Sequence, residues 1–413
     1  MHESGVSCSN VNSKASYRKW GILVACFLAS AVTVGGSQYS FGHFVEPLQE
    51  TFGWSRTEIG LSLSLVALGS FISPLIGSLI DRHGARPIMT FCLIMFAISY
   101  LARPFMTHIS HWYVLGIMQS FTIAGANILP TGKLIGLWFP KNRGKILGIA
   151  AMGNNFGGIA VQPAIALIIS AYSWQMGYAA IGIFAILVSI YSFLMVRDPI
   201  ASLAENGVTQ ELEVVGSTLS QAFRMRKFYV IIIAFMCGTF TYSALLPQVS
   251  SHLIDNGIDE STTALAVSLF AACGMLGKFI FGIMSDKFGP RPAMIFDLYG
   301  QSVFACLLVF AGTSIPLWLV VPFMGFFLGA FGALTQLLVM ESFGVKHFGA
   351  IMGVISIGTA ISLFSGPIIA GLSYDLSESY GPVFFITAAF FAIGGSSLFL
   401  TGKTDSEMSL QGK

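Results

Sequence analysis

Two segments of the 413-residue chain repeat each other at a fixed spacing. Residues 77–87 read GSLIDRHGARP and residues 282–292 read GIMSDKFGPRP. At an offset of 205, Gly77, Asp81, Gly84, Arg86 and Pro87 fall on Gly282, Asp286, Gly289, Arg291 and Pro292. The same offset carries Ile146, Gly148 and Gly153 onto Ile351, Gly353 and Gly358. Two separate segments sharing one offset close to half the chain mean a duplicated chain, and that sets the architecture before any local reading.

What is duplicated is apolar. The chain is 54% hydrophobic and 10% charged, where a soluble domain carries about 25% charged residues. A spanning helix needs about 20 apolar residues, and twelve such stretches fit, six within residues 20–196 and six within 228–401. The expected fold is an all-α membrane protein with twelve transmembrane helices in two pseudo-symmetric six-helix bundles. Residues 1–19 and 402–413 read as cytoplasmic tails, and 197–227 as a polar cytoplasmic linker carrying Glu205, Glu211, Glu213, Arg224, Arg226 and Lys227. With the N-terminus inside, every Lys and Arg except Arg56, Arg103 and Lys278 falls at a cytoplasmic end. That bias predicts a multi-pass cell (inner) membrane protein with both termini cytoplasmic. Pro74, Pro130, Pro163 and Pro367 are expected to kink their helices, since proline removes a backbone donor.

Several function classes drop out. A net charge of +2 without a basic run argues against nucleic acid, leaving the lipid bilayer and a small solute as partners. None of the six cysteines forms a CxxC, and the seven histidines do not cluster, so no metal or other cofactor is expected. There is no Walker loop and no G-x-S-x-G, so no enzyme is expected.

Lys278 is the sharpest candidate. Eight residues before Asp286, it lies ~12 Å along the helix axis, close to the middle of a core ~30 Å thick. A charge there marks a functional site unless it is paired. Asp297 and Glu341 both read as lying near the cytoplasmic face, so no acid is available mid-span, and the counter-anion is expected to be the substrate. A buried structural salt bridge is the alternative. Gln38, Tyr39 and Asn127 are candidate donors in the same cavity. His43 is the candidate for proton coupling, because histidine is the side chain most used as a proton carrier. Gln119, Asn154, Asn155, Gln162, Tyr242 and Gln336 are weaker candidates, because buried amides often serve only helix packing.

The paired loops resemble the cytoplasmic loop signature of the major facilitator superfamily. SQYSFGHFVEP (37–47), LWFPKNRGKILG (137–148) and the cation at Lys278 resemble, more narrowly, the monocarboxylate transporter and oxalate:formate antiporter group. The resemblance implies a gate that latches one side of the transporter, formed by Asp81, Arg82, Arg86, Asp286, Lys287 and Arg291, with Glu341 on the same face. The carboxylates can pair with neighbouring cations or cap a helix N-terminus. It also implies that Lys278 grips a substrate carboxylate, although relatives usually carry Arg there, and that His43 aligns with a coupling lysine. The second lysine of the oxalate antiporter has no counterpart in residues 351–375, and Gly274 stands where the mammalian carriers have Asp. One central cation suits one carboxylate. The expected function is secondary active transport of a small organic anion, a monocarboxylate first, by alternating access with proton coupling. The alternatives are a carrier of a larger or uncharged compound such as a drug or siderophore, and a transporter-like sensor.

Overall fold

The computed structural model describes residues 5–197, 216–311 and 314–402. These are helical, without a strand; Gly216 and Gly344 form a single isolated bridge. The long helical segments are α1 (Tyr17–Tyr39), α2 (56–83), α3 (Ala85–Phe105), α4 (Ile109–Trp138), α5 (Arg143–Ala171), α6 (Trp174–Met195), α7 (Arg226–Leu245), α8 (Ser261–Phe288), α9 (Pro290–Leu308), α10 (Leu317–Phe343), α11 (Phe348–Ser377) and α12 (Gly381–Thr401). Ten of these, all but α2 and α9, are long and apolar enough to cross a membrane. α2 is divided by a 3-10 turn at Leu65–Leu68. The apolar run of α9 is diluted by Asp297 and Gln301. In lipid only a helix satisfies its own backbone groups, which is why such runs fold this way.

The tail expected at residues 1–19 is helical from Gly5 and continues into α1. Linker residues 198–215, including Glu205, Glu211 and Glu213, lie outside the described residues, as do the C-terminal residues beyond Gly402. The linker's end is a short helix, Leu219–Phe223, closed by a capping box between Thr218 and Gln221. Asp259 caps the start of α8, its carboxylate accepting from Thr262 N at 2.9 Å.

The repeated loop is a repeated turn. Gly84 and Gly289 take φ of 85° and 92°, a backbone region closed to most side chains, and end α2 and α8 so that α3 and α9 can begin at once. Arg86 then donates to Phe193 O at the end of α6 (2.8 Å), and Arg291 to Leu398 O at the end of α12 (3.0 Å). Each arginine thus satisfies carbonyls left over at a helix C-terminus within its own half.

The prolines divide into two kinds. Pro130 and Pro163 follow directly on π-helical turns, Ala124–Ile128 in α4 and Gly157–Val161 in α5. A proline leaves the carbonyl four residues earlier without its donor, which favours such a widened turn. Pro74 and Pro367 sit inside uninterrupted α-helix. Two further π turns lie at Ala31–Gly36 in α1 and Thr241–Leu245 in α7.

The two halves meet along two seams, α2 against α11 and α5 against α8. Backbones touch there. A Cβ added at Gly77 would stand 1.9 Å from Gly349 O, and one at Gly144 would stand 2.2 Å from Gly282 O. These glycines let the helices close at the end that carries the repeated loops, the loop end.

Candidate functional site

Lys278 of α8 is 9% exposed and faces the first half of the chain. Its Nζ donates to Ala151 O at 3.1 Å and to Asn155 Oδ1, both on α5. Asn155 is fixed in turn by its Nδ2, which donates to Ala271 O of α8 at 2.7 Å. Gly148 brings the helices together just below, since a Cβ there would meet Lys278 O at 2.4 Å. The ammonium is therefore held across the α5–α8 seam by neutral acceptors. Among the described residues the ion pair found is Lys133 with Asp81, so Lys278 is not half of a salt bridge. Arg103 is also buried and lacks an acid, but it donates to Gln119 Oε1 at 2.5 Å and lies on the faces of Tyr100, Trp112 and Tyr178. Three ring faces offset that charge; among the described residues no ring lies under the Lys278 ammonium.

Both acids of the repeat reach across a seam to a helix N-terminus. Asp81 accepts from Gly349 N (3.2 Å) and Ala350 N (2.8 Å) in the first turn of α11. Asp286 accepts from Gly144 N (2.6 Å) and Lys145 N (2.8 Å) at the start of α5. A carboxylate against unsatisfied N–H groups and the positive end of a helix dipole is a charge-assisted clasp. Of the two options open from sequence, Asp286 adopts capping, and Asp81 combines capping with an ion pair. Arg86 and Arg291, grouped with the gate, tie helix ends within their own halves instead, and Arg82 and Lys287 are exposed. The cation that does pair is Lys133 of α4, 3.0 Å from Asp81 Oδ1 and also donating to Ile80 O at 3.0 Å. Glu341, in the last turns of α10, lies within electrostatic range of Arg143.

Each half thus carries a copy of the repeated loop whose acid reaches across a seam to a helix N-terminus. A family model described as Major Facilitator Superfamily matches residues 26–255 and 243–412. The chain belongs to this superfamily. Monocarboxylate transporter 13 of Bos taurus is 23% identical over 386 residues, covering 92% of this chain and 88% of the relative. Monocarboxylate transporter 12 of Homo sapiens is 22% identical, covering 92% and 78%. The hexuronate transporter of Bacillus subtilis is 22% identical, covering 85% and 86%. Among solved structures, the proton:xylose symporter XylE superposes with a TM-score of 0.78 at 15% identity, over 96% of this chain and all of that one. The E. coli fucose:proton symporter FucP gives 0.72 at 15% identity, over 93% and 98%. At these identities the two structures establish a shared fold.

On that fold the remaining candidates sit around the π turns. Asn127 lies inside the π turn of α4 and accepts from Ser30 Oγ of α1 at 2.7 Å. Tyr39, 42% exposed, lies over Gly158, where an added Cβ would come within 3.1 Å of its ring; Gln38 beside it is exposed. Tyr242, in the π turn of α7, is within electrostatic range of Tyr39 and donates to Leu328 O at 3.3 Å. His43 is exposed, its Nε2 3.2 Å from Gln162 Nε2 of α5. Gln162 lies seven residues beyond Asn155, about 10 Å along the helix, so His43 occupies a different level from Lys278. Asn155, a weaker candidate from sequence, is the direct partner of Lys278. Lys133 was missed: it reads as one more cation near a helix end, and its partner lies 52 residues away.

Proposed function

We propose that this superfamily member is a secondary active transporter of a small organic anion, with a monocarboxylate as the first expectation. In this reading all twelve long segments span a cell membrane as two six-helix bundles, with both termini and the repeated loops on the cytoplasmic side. The observation that carries the reading is Lys278: a buried ammonium between the halves, held by the neutral Asn155 and Ala151 O. Neutral acceptors leave most of its charge uncompensated, and a carboxylate entering between the halves would supply the missing anion. The names of the relatives agree in chemistry, since monocarboxylates and hexuronates share a single carboxylate.

The same geometry suggests how binding is linked to movement. Lys278 now fastens α8 to α5. A carboxylate that recruits the ammonium releases Asn155 and Ala151 O, which loosens the middle of that seam. The clasps at Asp81 and Asp286 hold the cytoplasmic end shut until then. Tyr39, Gln38 and Asn127 line the path from the other side, and His43, near its mouth, is the group proposed to couple a proton.

The test is binding of carboxylates to the purified protein in nanodiscs, read by thermal shift with formate, acetate, lactate, oxalate and glucuronate. At least one monocarboxylate is expected to stabilise the wild type, and Lys278→Ala to abolish the shift. If Lys278→Ala responds to the same compound with wild-type affinity, the anion site is elsewhere and the reading fails.

A further inference from the structure

We infer that Asp297 is an exchangeable proton-binding site, linked through α7 and α11 to the Asp81 clasp. Asp297 is fully buried in α9, seven residues past Pro290 and so ~10 Å in from the loop end. Its Oδ2 accepts from Gln301 Nε2 at 2.8 Å, and its Oδ1 has no hydrogen-bond partner. An ionised carboxylate in that setting would be a bare charge with one amide donor, which desolvation strongly disfavours. A buried acid escapes that cost by keeping its proton. In the clasped state Asp297 is therefore a carboxylic acid.

The surroundings bear this out. From α7 the facing ionisable group is Tyr242, itself neutral near pH 7. α8 presents the Phe281 ring to Phe296, and its Lys278 is engaged with α5. α10 presents Phe327, while its Glu341 lies by Arg143. α12 has no ionisable side chain between Gly381 and Thr401. On α9 itself, Arg291 is committed to the end of α12, and Tyr299 to Ser396. Among the described residues no cation is placed to stabilise the ionised form.

Hydrogen bonds join this acid to α7, and α7 in turn to α11. Gln301 Oε1 accepts from Thr241 Oγ1 at 2.7 Å, in the π turn of α7. Two residues on, Ser243 Oγ donates to Ser362 O of α11 at 2.8 Å, and Ser362 Oγ donates back to Met236 O at 2.7 Å. α11 is the helix whose N-terminus Asp81 clasps. A shift of α11 on unclasping thus pulls on Thr241, and through Gln301 on Asp297. When water reaches the carboxyl, it gives up its Oδ1 proton to that water and becomes a carboxylate; reclasping requires the proton back. His43 cannot serve this role, being exposed at another level of the molecule. The inference rests on the alternating-access part of the proposed function and not on the identity of the anion.

The test needs no substrate. In nanodiscs, infrared spectra are recorded from pH 5 to 9, beside hydrogen–deuterium exchange of the peptide carrying Gly349 and Ala350. The wild type is expected to show a protonated carboxylic C=O band that Asp297→Asn lacks. Its Gly349–Ala350 amides lose protection as pH rises, and Asp297→Asn, a permanent mimic of the neutral acid, keeps them protected by about tenfold or more at the alkaline end. Should that variant not fold, Thr241→Val cuts the chain while keeping the acid, and is expected to move the loss of protection by about one pH unit. A wild type without the band, or variants whose protection follows the wild-type pH profile, overturns the inference. An anion-binding site that survives such a result would leave the Lys278 reading untouched.

Discussion

Asn155→Asp tests the central site from the side of the resident partner. Asn155 offers Lys278 a neutral oxygen; aspartate offers a permanent anion in the same place. At a charge-assisted spacing of ~2.8 Å and an effective dielectric of ~20, the new pair gains about 6 kcal/mol of Coulomb energy. Against this stand several kcal/mol for desolvating a second ion. Losing the bond from Asn155 to Ala271 O costs about 1 kcal/mol more. A net preference of about 1–3 kcal/mol for the internal pair remains, which an incoming carboxylate must overcome, so its affinity falls roughly 5- to 150-fold. Asn155→Ala works in the other direction. It removes the competing acceptor, leaves the ammonium under-satisfied, and tightens binding by up to about tenfold. Isothermal titration with whichever carboxylate gives the largest thermal shift, on protein in nanodiscs, separates the three. If Lys278→Ala abolishes binding while both Asn155 variants bind like the wild type, Lys278 meets its anion without leaving Asn155, and the proposed release of the seam is wrong.

The other tests address the gate and the far end. Lys133→Met strips the cation from Asp81, whose side chain is 6% exposed, and removal of one member of a buried pair costs about 3–5 kcal/mol; the clasp should open, and exchange of the Gly349–Ala350 amides should rise while the protein stays folded. His43→Gln is expected to flatten the pH dependence of uptake, and an unchanged profile would make His43 an ordinary partner of Gln162. Burial lowers the pKa of His252 below its ordinary value, despite its bond to Leu308 O and the nearby Asp255. The folded state then binds fewer protons than the unfolded one, so stability should fall as pH drops below about 6.5, and His252→Gln should lose that dependence in thermal melts. Hydrogen bonds from Ser261 and Thr262 hold Asp259 down to about 2, so its cap on α8 is present above the unfolded value near 4 and lost as pH approaches 2. Asp259→Ala should fray the start of α8 at neutral pH, visible as faster amide exchange there.

Much of this was legible in the chain because duplication and hydropathy are properties of sequence. The repeated GxxxD(R/K)xGxR gave the turn at Gly84 and Gly289 and put an acid at both seams. What those acids hold was not legible. Gly349 and Ala350 lie 268 and 269 residues from Asp81, and their N–H groups belong to every residue alike, so no side-chain pattern marks them. Arg86 and Arg291 look like gate partners in sequence because they are near the acids in number. In space the helix turns them toward carbonyls at the ends of α6 and α12. Asp297 read as an acid near the face because its distance to the loop is short. Its burial depends on four neighbouring helices that sequence does not place. The π turns do not follow from proline alone, since Pro74 and Pro367, read the same way, sit within regular α-helix and carry no π turn.

The pseudo-symmetry fails at the lysines. The α2–α11 seam has its lysine at the clasp, where Lys133 pairs with Asp81. At the same offset from Lys133 stands Leu338, so the Asp286 clasp is held by backbone N–H groups, without a counterpart of that pair. The α5–α8 seam has its lysine deeper, at the middle, bound to an amide and a carbonyl. An ion pair that is buried with its partner is costly to part, because both charges are left bare. An ammonium on neutral acceptors is cheaper to detach, and cheapest when a carboxylate takes their place. On this reading the first seam is closed by something internal that no solute displaces, and the second is closed at mid-depth by something a solute does displace. The substrate therefore acts on α5 against α8 first, and the Asp81 clasp yields afterwards.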